Sequence, residues 1–329
     1  MFSRRVFANA GAILIILVSA GMVQVTQAEN SYPTKEVRII VPFTAGGGTD
    51  LVTRLFAQEL GQKYGQTFLV ENRSGGIGGS IGGIALARSL PDGYTIGAGT
   101  SSGIQSAAID GVQYNPLRDL VPIARLGHTK IVLTINSQLP ANSVAELIQY
   151  AKLNPGMTYG SAGTGTANHF AGEMLAQAAG VQFRHIPYRG EGPALIDVLS
   201  GEIDFILGSL TQSKAHIESG VLKALAVTSE DRSPDLPDVP TMIESGYKDF
   251  VLDAWYGLYA PRGTPVEIID ALAHAVNEIR DDADISHKLQ EQLSFDTSGN
   301  DSPEAFRRFM ESELEKFRGI ATVAGITTE

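Results

Sequence analysis

The sequence predicts an α/β protein of two domains, and three observations point there. The chain has 329 residues, about twice a domain of roughly 150. Its apolar runs alternate between strand-like and helix-like spacing. One short glycine motif occurs twice, once in each half, at a strand-to-helix turn. With 43% apolar and 19% charged residues, each half can bury a core.

The first 28 residues read as an address rather than as fold. Arg4 and Arg5 precede an apolar run from Ala8 to Val25, and Thr26-Gln27-Ala28 forms a small-x-small site before Glu29. That pattern is a secretory signal peptide cleaved after Ala28. Ser3-Arg4-Arg5-Val6-Phe7 also resembles a twin-arginine signal. An exported, periplasmic protein is expected, and cleavage takes the formal charge from -11 to -13.

Along the mature chain, Val37 to Phe43 reads as a strand and Asp50 to Leu60 as a helix ended by Gly61. Thr67 to Val70 is a strand, Ser80 to Ser89 a helix and Tyr94 to Ala98 a strand. Residues 99–120 read as irregular, followed by two apolar strands, Val121 to Leu126 and Ile131 to Ile135. Ser143-Val144-Ala145-Glu146 is a capping box that opens a helix. A strand near Tyr159 leads to a helix from Thr166 to Ala179. Then follow strands at Val181 to Ile186, Ile203 to Leu207 and Leu222 to Thr228, with a helix from Pro193 to Leu199. Residues 229–240, rich in Pro, Asp and Ser, mark a surface crossing. Trp255 to Ala260 is a strand, Thr264-Pro265-Val266-Glu267 caps a helix, and a last helix follows Ser302-Pro303. Such alternation implies mainly parallel sheets with ligands at the C-terminal ends of strands.

The repeated motif is Thr44-Ala45-Gly46-Gly47-Gly48-Thr49 and Ser161-Ala162-Gly163-Thr164-Gly165-Thr166. A helix N-terminus carries unpaired N–H groups and about half a positive charge. Glycines let the backbone curl donors toward an anion, and Ser and Thr hydroxyls add to them. One such loop alone is a capped turn. Two copies in different domains imply a cleft with a donor nest on each wall, suited to a small acid. A third cluster, Gly75 to Gly83, is either cleft wall or helix packing. Of 36 glycines, 11 fall in these three segments.

Several function classes are excluded. An acidic chain has no footprint for nucleic acid, and the absence of cysteine removes disulfides and thiolate sites. Gly99-Thr100-Ser101-Ser102-Gly103 and Gly78-Gly79-Ser80-Ile81-Gly82 both fit a serine-hydrolase elbow, with no Asp and His partners standing out. Neither glycine loop completes a dinucleotide fingerprint, and the six histidines form no metal motif. No cofactor and no metal are expected, and the chain is not read as an enzyme.

Val41-Pro42-Phe43 running into Gly46-Gly47-Gly48-Thr49-Asp50 belongs to a longer series of motifs. It continues with Glu71-Asn72-Arg73-Ser74-Gly75-Gly76, Pro91-Asp92-Gly93-Tyr94-Thr95, Tyr159-Gly160-Ser161-Ala162-Gly163 and His185-Ile186-Pro187-Tyr188-Arg189-Gly190. Gly201-Glu202-Ile203-Asp204 and Trp255-Tyr256-Gly257-Leu258-Tyr259-Ala260-Pro261 complete it. In this order, over essentially the whole mature chain, they resemble the Bug-type substrate receptors of tripartite tricarboxylate transporters. Ser74, Ile77 and Thr166 depart mildly from the family pattern.

The resemblance implies a two-domain periplasmic-binding-protein fold, type II-like, with a ligand cleft between the domains. Domain 1 would take residues 29–130 plus 253–329, and domain 2 residues 131–252. It implies a monomeric receptor that binds a small organic carboxylate and delivers it to membrane permease subunits. The ligand loops would be Phe43, Thr44, Gly46, Gly47, Gly48 and Asp50 on one wall. Ser161, Gly163, Thr164, Gly165, Thr166 and His169 would form the other, with Tyr188 and Asp204 nearby. Asp50 either orients its loop or meets a ligand amine; His169 either contacts ligand or packs its helix. Tyr188 offers an aromatic wall, with Arg189 beside it. Asp204, in an apolar strand, needs hydrogen bonds in the cleft or hinge. Trp255 reads as core. The alternatives are a serine hydrolase using Ser101 and a sensor without transport.

Overall fold

The computed structural model describes residues 32–298 and 302–327; the expected signal peptide lies outside them. The first elements are β1 (Val37–Val41), α1 (Gly48–Tyr64), β2 (Phe68–Asn72), α2 (Ser80–Ala87), β3 (Thr95–Thr100), α3 (Ser101–Ala107), α4 (Pro116–Asp119) and β4 (Leu120–Asn136). Next come α5 (Val144–Leu153), β5 (Thr158–Ser161), α6 (Ala167–Ala179), β6 (Arg184–Pro187), α7 (Glu191–Ser200), β7 (Phe205–Ser209), α8 (Leu210–Glu218) and β8 (Leu222–Val227). The chain continues through β9 (Asp253–Pro261), α9 (Val266–Asp281), α10 (Ala283–Leu293), β10 (Phe295–Asp296) and α11 (Pro303–Ala324).

Two parallel sets frame the architecture. β2-β1-β3 pair in parallel on one side, and β6-β5-β7 on the other. Between them, β9 and β4 run antiparallel to their neighbours. The expectation of mainly parallel sheets is thus corrected: parallel neighbours need a crossover helix, and β4 and β9 have antiparallel neighbours instead. β4 pairs with β9 as far as Lys130, then from Ile131 with β7 and from Val132 with β8. Its two apolar runs form one strand because bulges absorb the break, between Pro122 and Ala124 and between Arg125 and Gly127.

Burial explains the strands. Val37, Ile39 and Val41 of β1 are fully buried, as are Ile131, Leu133 and Ile135 of β4; each such side chain contributes about 1.5–3 kcal/mol of burial. Trp255 is core as expected, its indole donating to Glu313 at 3.2 Å and its ring set edge-on to Phe306 and Phe309.

Local signals are met unevenly. Ser143 caps α5 by accepting from Glu146 N at 3.1 Å, while Glu146 reaches back to Asn142 N at 2.7 Å. Thr264 does not cap α9; its hydroxyl donates to Pro261 O at 2.8 Å. α1 runs through Gly61 and ends at Gly65, whose φ of 63° is left-handed. Gly61 is kept by contact rather than by a stop signal, since a Cβ there would meet the Gln66 carbonyl at 3.2 Å. Residues 99–120 hold α3, capped by Thr100 Oγ1 accepting from Ser102 N at 3.2 Å, and α4. No helix among the described residues is long and apolar enough to cross a membrane.

α6 lies directly on the Tyr159 ring through Gly172, where a Cβ would collide with that ring. Gly172→Val is therefore expected to destabilise the fold by about 1–3 kcal/mol, read as a lowered urea midpoint; an unchanged midpoint would show that α6 can lift off Tyr159 freely.

Candidate functional site

Four strands, β1, β3, β5 and β7, deliver the chain at their C-terminal ends to the N-termini of α1, α3, α6 and α8. These junctions meet around an inner chamber. Its wall takes Gly47, Gly48 and Thr49 from the first, Thr100 to Ser102 from the second, Ala162, Ala167 and Asn168 from the third, and Ser209 from the last. Phe43, Ile131, Glu191, Ala254 and Tyr256 complete it. The free volume is about 40 Å³, room for about three waters. An outer cavity of about 370 Å³ shares Phe43 and Ala162 with it and is lined by Ser74 to Ile77, Gly163, Thr164, Tyr188 and Arg189.

Three of the four helices open without a cap from their own N-cap residue, and the first amide of α6, Ala167 N, donates across to Ser102 Oγ at 3.2 Å. Gly47 has no side chain to cap α1. Thr166 turns its hydroxyl back to Gly163 O at 2.6 Å instead of capping α6. Ser209 gives its hydroxyl to Glu191 Oε1 at 2.9 Å. Each open end concentrates about half a positive charge, and no basic side chain lines the chamber.

Four of the five glycine amides are spent inside the loops. Gly46 N donates to Asp50 Oδ2 at 2.9 Å and Gly47 N to Thr44 O at 3.4 Å. Gly163 N donates to Ser161 Oγ at 3.0 Å, and Gly165 N to His169 Nδ1 at 3.1 Å. The expected curled nest is thus replaced by loops that lock themselves and present the first turns of α1 and α6. Glycine is needed for close approach: a Cβ on Gly48 would stand 3.1 Å from Tyr256 Oη and 3.4 Å from Ser209 Oγ.

Of the expected contacts, Phe43, Gly47 and Gly48 line the chamber, while Gly163, Thr164 and Tyr188 line the outer cavity. The third glycine cluster lines that cavity too, through Gly75, Gly76 and Gly79, and it also packs: Gly82 leaves no room for a Cβ against Pro42. Thr44 Oγ1 is buried without a partner, packed where Gly190 has no Cβ.

Other expected residues stand outside both cavities. Asp50 accepts from Gly46 N, from Arg54 Nε at 2.8 Å and from Asn72 Nδ2 at 2.9 Å. Burial works to raise its carboxyl, but the bonds from Arg54, Gly46 and Asn72 hold it below the usual value; it orients the loop. Asp204 accepts from Thr158 N at 2.7 Å and Thr158 Oγ1 at 2.9 Å. That staple joins the N-terminal ends of β5 and β7, opposite the end where the site lies. Tyr188, which does line the outer cavity, donates its hydroxyl to Asp197.

His169 belongs to a column of rings under the second loop. It stacks on His185 with centroids 4.1 Å apart, and His185 stacks on Tyr159 at 4.9 Å. Ser161 Oγ and His185 Nε2 are 2.6 Å apart. Burial pushes His169 down to about 3, with His185 adding to the effect, and burial alone pushes His185 down to about 4. Both rings are neutral supports that fix Gly165 and Ser161.

Motif reading missed Asn168, Glu191 and Ser209 as site residues, met Thr49 and Tyr256 within motifs without assigning them a contact, and met Ser101 and Ser102 only within a nucleophile pattern. The rule that ligands sit at the C-terminal ends of parallel strands would have found Ser209 and the Thr100 to Ser102 junction. Ser101 Oγ has no hydrogen-bond partner, and no histidine lines the chamber, so the serine–histidine pair of a hydrolase is not formed there. Among the described residues no group of His, Asp and Glu is placed to hold a metal ion.

Comparison with known proteins shows the family and the fold. Residues 52–326 match the family described as tripartite tricarboxylate transporter family receptor. Protein BugT of Bordetella pertussis is 33% identical over 318 residues, covering 95% of this chain and 97% of BugT. The structure of periplasmic binding protein BugD superposes with a TM-score of 0.86 at 35% identity, covering 90% of this chain and 99% of BugD. Rpa4515 of R. palustris, solved with adipate, gives a TM-score of 0.86 at 34% identity, covering 90% of this chain and 99% of Rpa4515.

The histidine column has a measurable signature. Both imidazoles titrate near 6.5 when unfolded and far lower when folded, so the native state refuses protons that the unfolded chain accepts. Their contribution to stability is complete above about 6.5 and is lost as pH falls toward the folded values. Ring-proton NMR is expected to show His169 and His185 in the neutral form from pH 8 down to pH 5; a midpoint near 6.5 for either would place that ring in water.

Proposed function

The chain belongs to the tripartite tricarboxylate transporter receptor family, and on that premise we propose that it is a periplasmic receptor that captures a small organic carboxylate and hands it to membrane permease subunits. The observation that carries this reading is the convergence of three uncapped helix N-termini on one chamber without basic side chains. Such ends stabilise an anion by backbone donors and dipole together. Phe43, Gly47, Gly48 and Ser101 face the ligand in the chamber, and Gly163, Thr164 and Tyr188 in the outer cavity. A family neighbour solved with adipate supports the ligand class.

Capture works by closing two lobes, residues 29–130 with 253–329 and residues 131–252. The change of β4 partners between Lys130 and Ile131, and the start of β9 at Asp253, support those hinge points. Hydrogen bonds at the glycine loops cross between the proposed lobes, Gly78 N to Thr164 O at 2.9 Å, Ala167 N to Ser102 Oγ at 3.2 Å and Gln212 Nε2 to Gly46 O at 3.3 Å. Others join the lobes away from the loops, among them Gln290 Nε2 to Asp235 Oδ2 at 2.9 Å and Thr211 Oγ1 to Thr129 Oγ1 at 3.1 Å. Those at the loops contribute about 1 kcal/mol each, and ligand contacts made only in the closed state add the bias toward closure. The receptor acts after removal of residues 1–28, as a monomer, and without catalysis, since Ser101 lacks a base.

A thermal-shift screen of mono-, di- and tricarboxylates against sugars and amines tests the reading. Carboxylates are expected to raise Tm, and stabilisation by another class alone would overturn it. Gly48→Val, which fills the chamber at Tyr256 and Ser209, is expected to weaken carboxylate binding at least about tenfold in calorimetry; unchanged affinity would remove α1 from the site.

A further inference from the structure

One acid stands in a chamber otherwise built to attract anions. Glu191, the first residue of α7, is the only charged side chain on the wall. It is held in place: Oε1 accepts from Ser209 N at 2.6 Å and from Ser209 Oγ at 2.9 Å. Behind it, a Cβ on Gly208 would stand 2.8 Å from that oxygen. Two donors and the open end of α8 favour the carboxylate form. Burial opposes it and pushes the carboxyl up to about 7, so a negative Glu191 here lacks a cation.

The surroundings supply none. Asn168 of α6 and Ser209 at the head of α8 are neutral, and α1 and α3 present glycine, threonine and serine. Tyr256 of β9 is the other titratable group on the wall, and burial and Glu191 keep its phenol protonated. Ser101 Oγ, 1% exposed, lines the same chamber and is buried with no partner. The chamber thus combines backbone donors with two acceptors. Its volume of about 40 Å³ admits a polar head group, and the outer cavity of about 370 Å³ takes what is attached.

We propose that Glu191 receives the ammonium of an α-amino acid whose α-carboxylate lies on the open ends of α1 and α6, so that the receptor selects amino acids over the matching plain acids. An ammonium carries three donors; Glu191 and Ser101 Oγ accept two of them. The side chain of the ligand extends past Phe43 and Ala162. The inference rests on the receptor reading above and names its ligand class.

The sign of the pH dependence follows. A bound ammonium favours ionised Glu191, so binding releases a proton and tightens as pH rises through about 7. A second carboxylate placed at Glu191 would need the acid form and would bind more weakly as pH rises. Calorimetry at pH 6 and pH 8 decides between them, with aspartate against succinate, glutamate against glutarate and 2-aminoadipate against adipate.

For the pair of fitting length, the amino member is expected to bind at least about tenfold tighter, and tighter at pH 8 than at pH 6. Glu191→Gln, which keeps an acceptor for Ser209, is expected to bring the pair within about threefold. The ratio and pH slope of the unaltered protein decide the matter should that variant misfold. A plain diacid that binds as tightly as its amino partner, or an amino acid affinity that falls from pH 6 to pH 8, overturns the role of Glu191 and leaves the receptor reading standing. If no member of either series binds, the role of Glu191 falls, and the receptor reading is decided by the wider screen of mono- and tricarboxylates.

Discussion

The continuity of β4 is the constraint on which the rest depends. A single strand from Leu120 to Asn136 pairs with β9 and β10 along its first part and with β7 and β8 along its last. Both parallel sets are thereby hung on one rod. Their C-terminal ends face a common space, which is why four helix N-termini can meet there. A break within β4 would leave each parallel set intact and scatter the site.

At that meeting point the division of labour differs from what a glycine-rich motif suggests. The loops use their own amides to lock themselves, through Asp50 in one and Ser161 and His169 in the other. Anion attraction falls to the first turns of long helices, whose dipoles are fixed by the backbone. The ring column of Tyr159, His185 and His169 and the clamp of Asp50 on Arg54 and Asn72 are footings under those loops. Rigid footings matter because a donor that must be ordered on binding loses part of its worth to entropy.

Much of the fold was legible because its strands are apolar and its helices carry capping signals. β1, β5, α5 and α11 stand close to where residue patterns put them. What was not legible has physical causes. α8 and α10 are polar along most of their length, and α3 is a buried helix made of serines, glutamine and glycine. Pairing direction has no local signal, so the alternation of strand and helix points to mainly parallel sheets and does not reveal the antiparallel pairs of β9 and β4. In the site, Gly47, Gly48 and Phe43 could be found from the repeat and the family resemblance. Glu191 and Tyr256 could not, since tertiary packing brings them to the chamber, Glu191 from directly after one motif and Tyr256 from within another, and neither motif says which side chains face the site. His169 is close in sequence to the second loop, which it only supports, and Asp204 stands out as a carboxylate in an apolar run although it staples the far ends of β5 and β7.

The open helix ends have a consequence for how this receptor can change. Backbone amides cannot be altered by a point substitution, so affinity for an acid is insulated from most mutations in the cleft. Drift is then free to act on the few wall side chains, chiefly Phe43, Ser101, Glu191 and Tyr256. A receptor of this design can exchange one cargo for another through a handful of substitutions while keeping its hold on the common anionic handle throughout.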